Sequence, residues 1–131
     1  MTTFTAPLDS DPQALYGYVV EQLAPFGLAY LHVIEGETGG TRTPEGKAFD
    51  YKALHRTFPG AWMLNNGYSR EMAIDNVAAG NADLIAFGRL FISTPDLVRR
   101  LKDKLPLNEL QADKLYGGGA EGYTDYPMLA A

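Results

Sequence analysis

The chain has 131 residues, of which 46% are hydrophobic, and a formal net charge of -5 at pH 7. This is one domain's worth of chain at most, and its acidic balance argues against a general nucleic-acid or anionic-membrane surface. There is no cysteine, which excludes disulfides, thiolate metal sites and a cysteine nucleophile. No apolar run approaches the roughly 20 residues of a membrane span, and the first residues are not typical of a secretory signal, so we expect a cytoplasmic protein.

Helix-start signals and apolar runs alternate along the chain. Asp11-Pro12 is typical of a helix start, because Asp accepts hydrogen bonds from free N–H groups and Pro suits the first helical position. Thr94-Pro95 gives the same signal, and Ser69 is a candidate N-cap between them. The apolar runs predict strands, the last of them buried on both faces. The main predicted elements are a helix at 11–24, strands near 28–34, 61–65 and 83–87, a helix at 95–104 and a C-terminal loop at 105–131.

This order predicts an α/β fold with a parallel sheet. About three βα units follow the first helix, and such units join parallel strands by right-handed crossovers. Three strands alone would leave apolar edges open on both sides, which is an aggregation hazard. We therefore expect the chain to be part of a larger sheet.

Glycines and one arginine follow two of the predicted strands, where α/β proteins bind ligands. Gly88-Arg89 comes directly after the third strand. Such a pair suits a phosphate, because glycine lets backbone N–H groups approach the anion and arginine supplies a charged fork. The alternative is a tight turn with a solvated arginine. Asn66-Gly67 follows the second strand in the same way, with an ordinary turn as its alternative.

Several motifs resemble the C-terminal part of the Old Yellow Enzyme family. They are NNGYS at 65–69, DLIAFGRLFISTPDLVRRL at 83–101, PLNE at 106–109 and GYTDYP at 122–127, and LAYLHVIEG at 28–36 fits the family's sixth barrel strand. The resemblance implies an eight-stranded (β/α) TIM barrel that binds FMN and reduces activated alkenes with NADH or NADPH. Residues 1–131 would supply the fifth helix and the last three βα units of this single domain.

The resemblance also implies cofactor contacts. The family's FMN phosphate lies in the loops after the seventh and eighth strands, which here contain Asn66, Gly67, Gly88 and Arg89. The family places an aromatic residue against the dimethylbenzene end of the flavin, which corresponds to Leu115-Tyr116 here. The alternative for Tyr116 is that it only pins the C-terminal loop.

A long loop at 36–49 covers the active site in the family, so Arg42 or Phe49 is a candidate for shaping substrate access. Surface mobility without function is the alternative. The residues that hold and protonate the substrate lie upstream in the family, so we predict no catalytic residue in this chain. The two histidines, His32 and His55, are far apart in sequence, so we predict no metal site.

Other polar residues have structural interpretations. We expect His32 to be a hydrogen-bonded core histidine, with a catalytic role as the alternative, and His55 to be exposed. We expect Glu35 to orient a loop, with lining of the pocket as the alternative. We expect Arg100 to lie on a solvated helix face with its basic neighbours. Asp125 and Tyr126 belong to one of the motifs that resemble the family, and we expect them to dock the C-terminal tail.

Two functions follow. The first is an FMN-binding segment of an ene-reductase, assembled with the N-terminal part of the barrel as a separate chain and acting on a small activated alkene. The second is a non-catalytic barrel fragment that self-associates and binds a phosphate-bearing ligand. Retained flavin and a companion chain favour the first, and a colourless homo-oligomer favours the second.

Overall fold

The computed structural model describes residues 9–36 and 49–130. The chain divides into two compact units, Met1–Ile85 and Ala86–Ala131. The first unit contains α1 (Pro12–Leu23), a 3-10 turn (Ala24–Phe26), β1 (Tyr30–Ile34), α2 (Tyr51–Thr57), β2 (Ala61–Asn65), α3 (Arg70–Ala78) and β3 (Leu84–Ile85). The second contains α4 (Arg89–Ser93), α5 (Leu97–Asp103) and a 3-10 turn (Ala112–Lys114).

Two helix starts in the first unit are capped as their sequence signals predict. The Asp11 carboxylate accepts a hydrogen bond from the Ala14 N–H at 3.2 Å, and Pro12 is the first residue of α1. The Ser69 hydroxyl accepts one from the Met72 N–H at 3.2 Å and begins α3. Each cap satisfies a backbone donor that has no partner within the helix.

The three strands form a parallel sheet in the order β1-β2-β3. Leu31 pairs with Trp62, and Leu64 pairs with Ile85, so these side chains share one face of the sheet. That face is the core of the first unit, where Trp62 is fully buried and stacks on the His55 ring of α2 at 5.5 Å. His55 is thus half-buried rather than exposed as expected.

The opposite face of the sheet is uncovered within the described residues. Tyr30 is 50% exposed, Ile34 48% and Leu84 43%, although all three are apolar strand residues. His32 lies on the same face and is exposed, so the prediction of a hydrogen-bonded core histidine is wrong for this chain. The prediction that β3 is buried on both faces is wrong for the same reason. β3 is also shorter than 83–87, because its ladder with β2 extends only over Leu84–Ile85.

The entry into β2 is tightly packed. A Cβ at Gly60 would lie 2.6 Å from the Leu28 carbonyl oxygen and 2.7 Å from the Phe58 ring. The Trp62 N–H donates to the Asp83 carboxylate at 2.8 Å, and the Asp83 N–H donates back to the Trp62 carbonyl at 2.9 Å. These contacts fix the start of β2 against the residues that precede β3.

In the second unit, α5 begins at Leu97 rather than at 95, and a short helix, α4, precedes it. Thr94 does not cap α5 as predicted, because its hydroxyl accepts the N–H of Asn108 from the C-terminal segment at 3.3 Å. Asp96 is the residue before the helix, and its carboxylate accepts a hydrogen bond from Arg100 Nε at 2.7 Å.

Arg100 anchors the C-terminal segment. Only 2% of it is exposed, so the expectation of a solvated side chain is wrong. Its guanidinium donates to the carbonyls of Pro106 and Pro127 and to the Asn108 side chain, each at 2.9 Å. The Tyr126 hydroxyl accepts the N–H of Gln111 at 2.9 Å, which agrees with the interpretation that Tyr126 docks the tail.

Candidate functional site

The carboxyl end of β2 continues into a turn with an unusual backbone. Asn66 has φ +125° and Gly67 has φ +66°, and both values lie in the region that favours glycine. Gly67 is exposed, and a Cβ there would meet no atom of the described residues within 4 Å. Among the described residues, no hydrogen bond uses the Gly67 amide. This turn therefore offers an accessible N–H group at the end of the sheet where α/β proteins bind ligands.

The end of β1 is joined to this turn. The Asn66 side chain donates to the Glu35 carbonyl, and the Tyr68 hydroxyl donates to the Glu35 carboxylate. Tyr68 is only 4% exposed. The sequence predicts Glu35 to be a carboxylate that orients a loop, and the structure shows that its partner is Tyr68. This role of Tyr68 is not predicted from the sequence. No local signal reveals Tyr68, because its partner lies 33 residues away.

Gly88 directly precedes α4 and Arg89 is the first residue of that helix, and both belong to the second unit. Gly88 has φ -93° and ψ -79°, a conformation that other residues also adopt, and a Cβ there would meet no atom within 4 Å. Neither its own backbone conformation nor its packing against residues 9–36 and 49–130 requires a glycine at this position. Arg89 is exposed, and its guanidinium has no partner among residues 9–36 and 49–130.

Tyr116 is presented by a closed loop in the second unit. It has φ +61°, it is 88% exposed, and its N–H donates to the Tyr123 hydroxyl. An ion pair between Lys114 and Glu121, 3.1 Å long, closes the same loop. The hydrogen bond to Glu121 and its charge raise the pKa of Lys114. Leu115, beside Tyr116, is half-buried.

The two candidates from the long loop have different outcomes. Arg42 lies outside the described residues. Phe49 is half-buried in an aromatic cluster, with its ring centroid 6.0 Å from Tyr16 and 4.6 Å from Tyr51. Phe49 thus holds the returning end of the loop against α1 and α2, and a role in substrate access stays a prediction.

Neither a metal site nor a membrane-spanning helix is found in the described part of the chain. No group of three or more His, Asp or Glu side chains there is arranged to hold a metal ion. No helix there has the length and apolar character needed to cross a membrane.

A sequence profile of the NADH:flavin oxidoreductase / NADH oxidase family matches residues 15–108. The chain belongs to this family. The match includes the Asn66-Gly67 turn and the Gly88-Arg89 pair, and it indicates FMN as the cofactor of the family. The resemblance to the Old Yellow Enzyme family is confirmed.

Curated relatives and solved structures agree with the family. 12-Oxophytodienoate reductase 7 of Oryza sativa subsp. japonica is 38% identical over 92% of this chain and 34% of its own length. 12-Oxophytodienoate reductase 2 of Arabidopsis thaliana is 34% identical over 92% of this chain and 33% of its own length. The old yellow enzyme from Trypanosoma cruzi superposes with a TM-score of 0.83 at 32% identity, over 94% of this chain and 32% of that one. Morphinone reductase superposes with a TM-score of 0.82 at 37% identity, over 93% of this chain and 32% of that one.

The chain spans about a third of the length of these family members. Its fold is therefore the C-terminal part of a (β/α) barrel, with three of the strands. The uncovered face of the sheet, with Tyr30, Ile34 and Leu84, has the character of a barrel interior whose other strands lie outside this chain.

Proposed function

We propose that this chain is the FMN-binding segment of an NAD(P)H-dependent ene-reductase and that its main task is to hold the cofactor's phosphate. The observation that carries the proposal is the turn after β2, where Gly67 offers an exposed amide without a partner among the described residues. Backbone N–H groups in such turns bind anions. A phosphate between the last two strand ends is also the usual arrangement in (β/α) barrels.

Asn66, Gly67, Gly88 and Arg89 are each proposed to contact the phosphate. Gly88 supports it because a glycine that its own backbone and packing do not require leaves space for a ligand's close approach. Arg89 supports it because an exposed guanidinium is available for a bidentate contact with phosphate oxygens.

Tyr116 and Leu115 are proposed to contact the flavin ring. A flat phenol ring that is 88% exposed and held by a closed loop is suited to an apolar, planar ligand surface. Arg42 and Phe49 belong to the predicted loop at 36–49, and they are proposed to shape the entry of substrate and nicotinamide.

The chemistry that the cofactor supplies when bound is hydride transfer to the β-carbon of an α,β-unsaturated carbonyl compound, after reduction by NADH or NADPH. The names of the relatives, which are reductases of 12-oxophytodienoate and of morphinone, support a reductase. This chain's residues bind and orient, and we assign no catalytic acid or substrate clamp to it. The proposed partner is the N-terminal part of the barrel, and the chain alone is not expected to be competent. The cytoplasmic location stays a prediction.

The test compares FMN with riboflavin, which lacks the phosphate. The assembled barrel is deflavinated and titrated with each ligand, and the ratio of the two dissociation constants is its phosphate preference. Arg89→Ala should lower FMN affinity by roughly tenfold to a hundredfold, the worth of a charge-assisted hydrogen bond, and leave riboflavin affinity unchanged. Arg56→Ala, which removes an exposed arginine of α2, is the matched control. An unmutated protein that binds both ligands equally well would contradict the proposal.

A second function, a self-associating fragment without turnover, has one observation in its favour. The uncovered apolar face of the sheet needs a cover, and a second copy of the chain would also supply one. Native mass spectrometry separates the two functions. A complex with a larger polypeptide and one FMN supports the ene-reductase, and a colourless homo-oligomer supports the fragment.

A further inference from the structure

The residues on both sides of Gly67 are attached to Glu35, the residue that follows β1. The Glu35 N–H donates to the Asn65 carbonyl at 3.0 Å, and the Glu35 carbonyl accepts from the Asn66 side chain. The Glu35 carboxylate accepts from the Tyr68 hydroxyl. One residue thus contacts the turn before and after Gly67, through its amide, its carbonyl and its carboxylate.

The contact with Tyr68 differs from the other two because it depends on side chains alone. The Tyr68 ring is 4% exposed, so its hydroxyl needs a partner inside the protein. A hydrogen bond from a phenol to a carboxylate is charge-assisted and therefore stronger than one between neutral groups. This bond fixes the position at which the chain leaves the turn.

Asn66 is held in a backbone conformation that asparagine does not favour. Asn66 has φ +125°, and such a backbone costs on the order of 1–3 kcal/mol unless its surroundings hold it in place. No hydrogen bond from the Gly67 amide to the described residues compensates for this cost. The attachments to Glu35 thus maintain a strained turn whose central N–H is left for something else.

We propose that Glu35 and Tyr68 are positioning residues for phosphate binding, which rests on the function proposed above. Neither residue is proposed to touch the cofactor. The Tyr68–Glu35 hydrogen bond holds the Asn66-Gly67 turn in its binding conformation before the ligand arrives. Because the turn is already ordered, FMN binding does not have to supply the free energy of ordering it.

The experiment uses the deflavinated, assembled barrel and the phosphate preference measured with FMN and riboflavin. Tyr68→Phe removes only the hydroxyl, and we expect the preference to fall about tenfold while riboflavin affinity stays within about twofold. Glu35→Gln keeps an oxygen acceptor without the charge, so the preference should fall less, by about threefold. If Tyr68→Phe does not fold, Glu35→Gln decides: an unchanged preference overturns the proposal.

Two controls separate positioning from general destabilisation. Tyr51→Phe also removes a tyrosine hydroxyl, one that accepts the N–H of Gly36, the residue after Glu35, at 2.8 Å, and should keep the preference. Ser69→Ala removes the cap of α3 next to Tyr68 and should lower the melting temperature but keep the preference. A Tyr68→Phe variant that loses both ligands equally, or keeps its preference, overturns the proposal.

The outcome also distinguishes this inference from the function on which it rests. If the unmutated protein has no phosphate preference, the proposed function fails and the inference fails with it. If the preference is present and Arg89→Ala removes it while Tyr68→Phe does not, the proposed function stands and only the positioning role is wrong.

Discussion

Asp96 and Arg100 form an ion pair at the start of α5, with 2.7 Å between the Asp96 carboxylate and Arg100 Nε across one helical turn. The Arg100 side chain is 2% exposed and the Asp96 side chain is 11% exposed. The carboxylate also accepts the Leu129 N–H at 3.1 Å, so the pair joins α5 to the end of the chain. A buried charge of this kind depends on all of its partners.

The first prediction concerns the pH dependence of this pair. Burial alone would raise the pKa of Asp96, but the hydrogen bonds from Leu129 and Arg100 outweigh it, and the pKa lies below its usual value. A carboxylate with a lowered pKa stabilises the fold above its unfolded pKa of about 3.9, and this contribution is lost as the pH falls through the folded pKa. Asp96→Asn should therefore be less stable than the unmutated protein at pH 7 and should approach it at low pH.

Urea unfolding at neutral and acidic pH measures this difference. Asp103→Asn, which changes an exposed carboxylate at the end of the same helix, is the control and should not be destabilised at pH 7. An Asp96→Asn variant as stable as the unmutated protein at pH 7 would show that the pair contributes nothing.

The second prediction uses two glycines with opposite environments. Gly60→Ala would place a Cβ 2.6 Å from a backbone oxygen and should destabilise the fold by about 1–3 kcal/mol through overpacking. Gly17 lies inside α1 with only the Leu54 side chain, at 4.0 Å, near its Cβ position. Gly17→Ala should therefore stabilise the fold by about 1 kcal/mol, because alanine favours the helix. Equal effects of the two changes on the melting temperature would contradict this packing.

The sequence was sufficient where the deciding interaction is local. Asp11 and Ser69 cap their helices through N–H groups three residues away, which a short window of sequence contains. The alternation of strands and helices, and the need for further strands, also follow from local patterns and from the open edges of a three-stranded sheet.

The sequence was insufficient where the partner is distant. Thr94 resembles an N-cap, but its hydroxyl accepts a hydrogen bond from the Asn108 N–H. No residue close to Thr94 in the sequence indicates this contact. Arg100 resembles a solvated residue, and only the folded tail buries it. Tyr68 was missed for the same reason, since its partner Glu35 follows another strand.

The third prediction concerns the loop that presents Tyr116. The Tyr116 amide is in an exposed loop and donates to the Tyr123 hydroxyl, so Tyr123→Phe should speed its hydrogen exchange by roughly tenfold or more. Tyr126→Phe is the matched control, because the Tyr126 hydroxyl accepts the Gln111 N–H in the same manner. That variant should speed exchange at Gln111 and not at Tyr116. Exchange at Tyr116 that is unaffected by Tyr123→Phe would show that this bond does not hold the loop.

The last prediction separates what Gly88 does for the fold from what it does for the ligand. With φ -93° and no atom within 4 Å of its Cβ position, Gly88→Ala should leave the melting temperature of the apoprotein unchanged or raise it slightly. If a phosphate approaches the backbone here, the added methyl group occupies part of its space. FMN affinity should then fall by about tenfold, with little change for riboflavin.

Gly17→Ala is the control for this substitution, since it adds the same methyl group inside α1 and should keep both affinities. A Gly88→Ala variant that is stable and binds FMN normally would remove Gly88 from the phosphate site. The role of Arg89 would remain to be judged by its own variant, because a guanidinium reaches an anion through its side chain and does not need the space at Gly88.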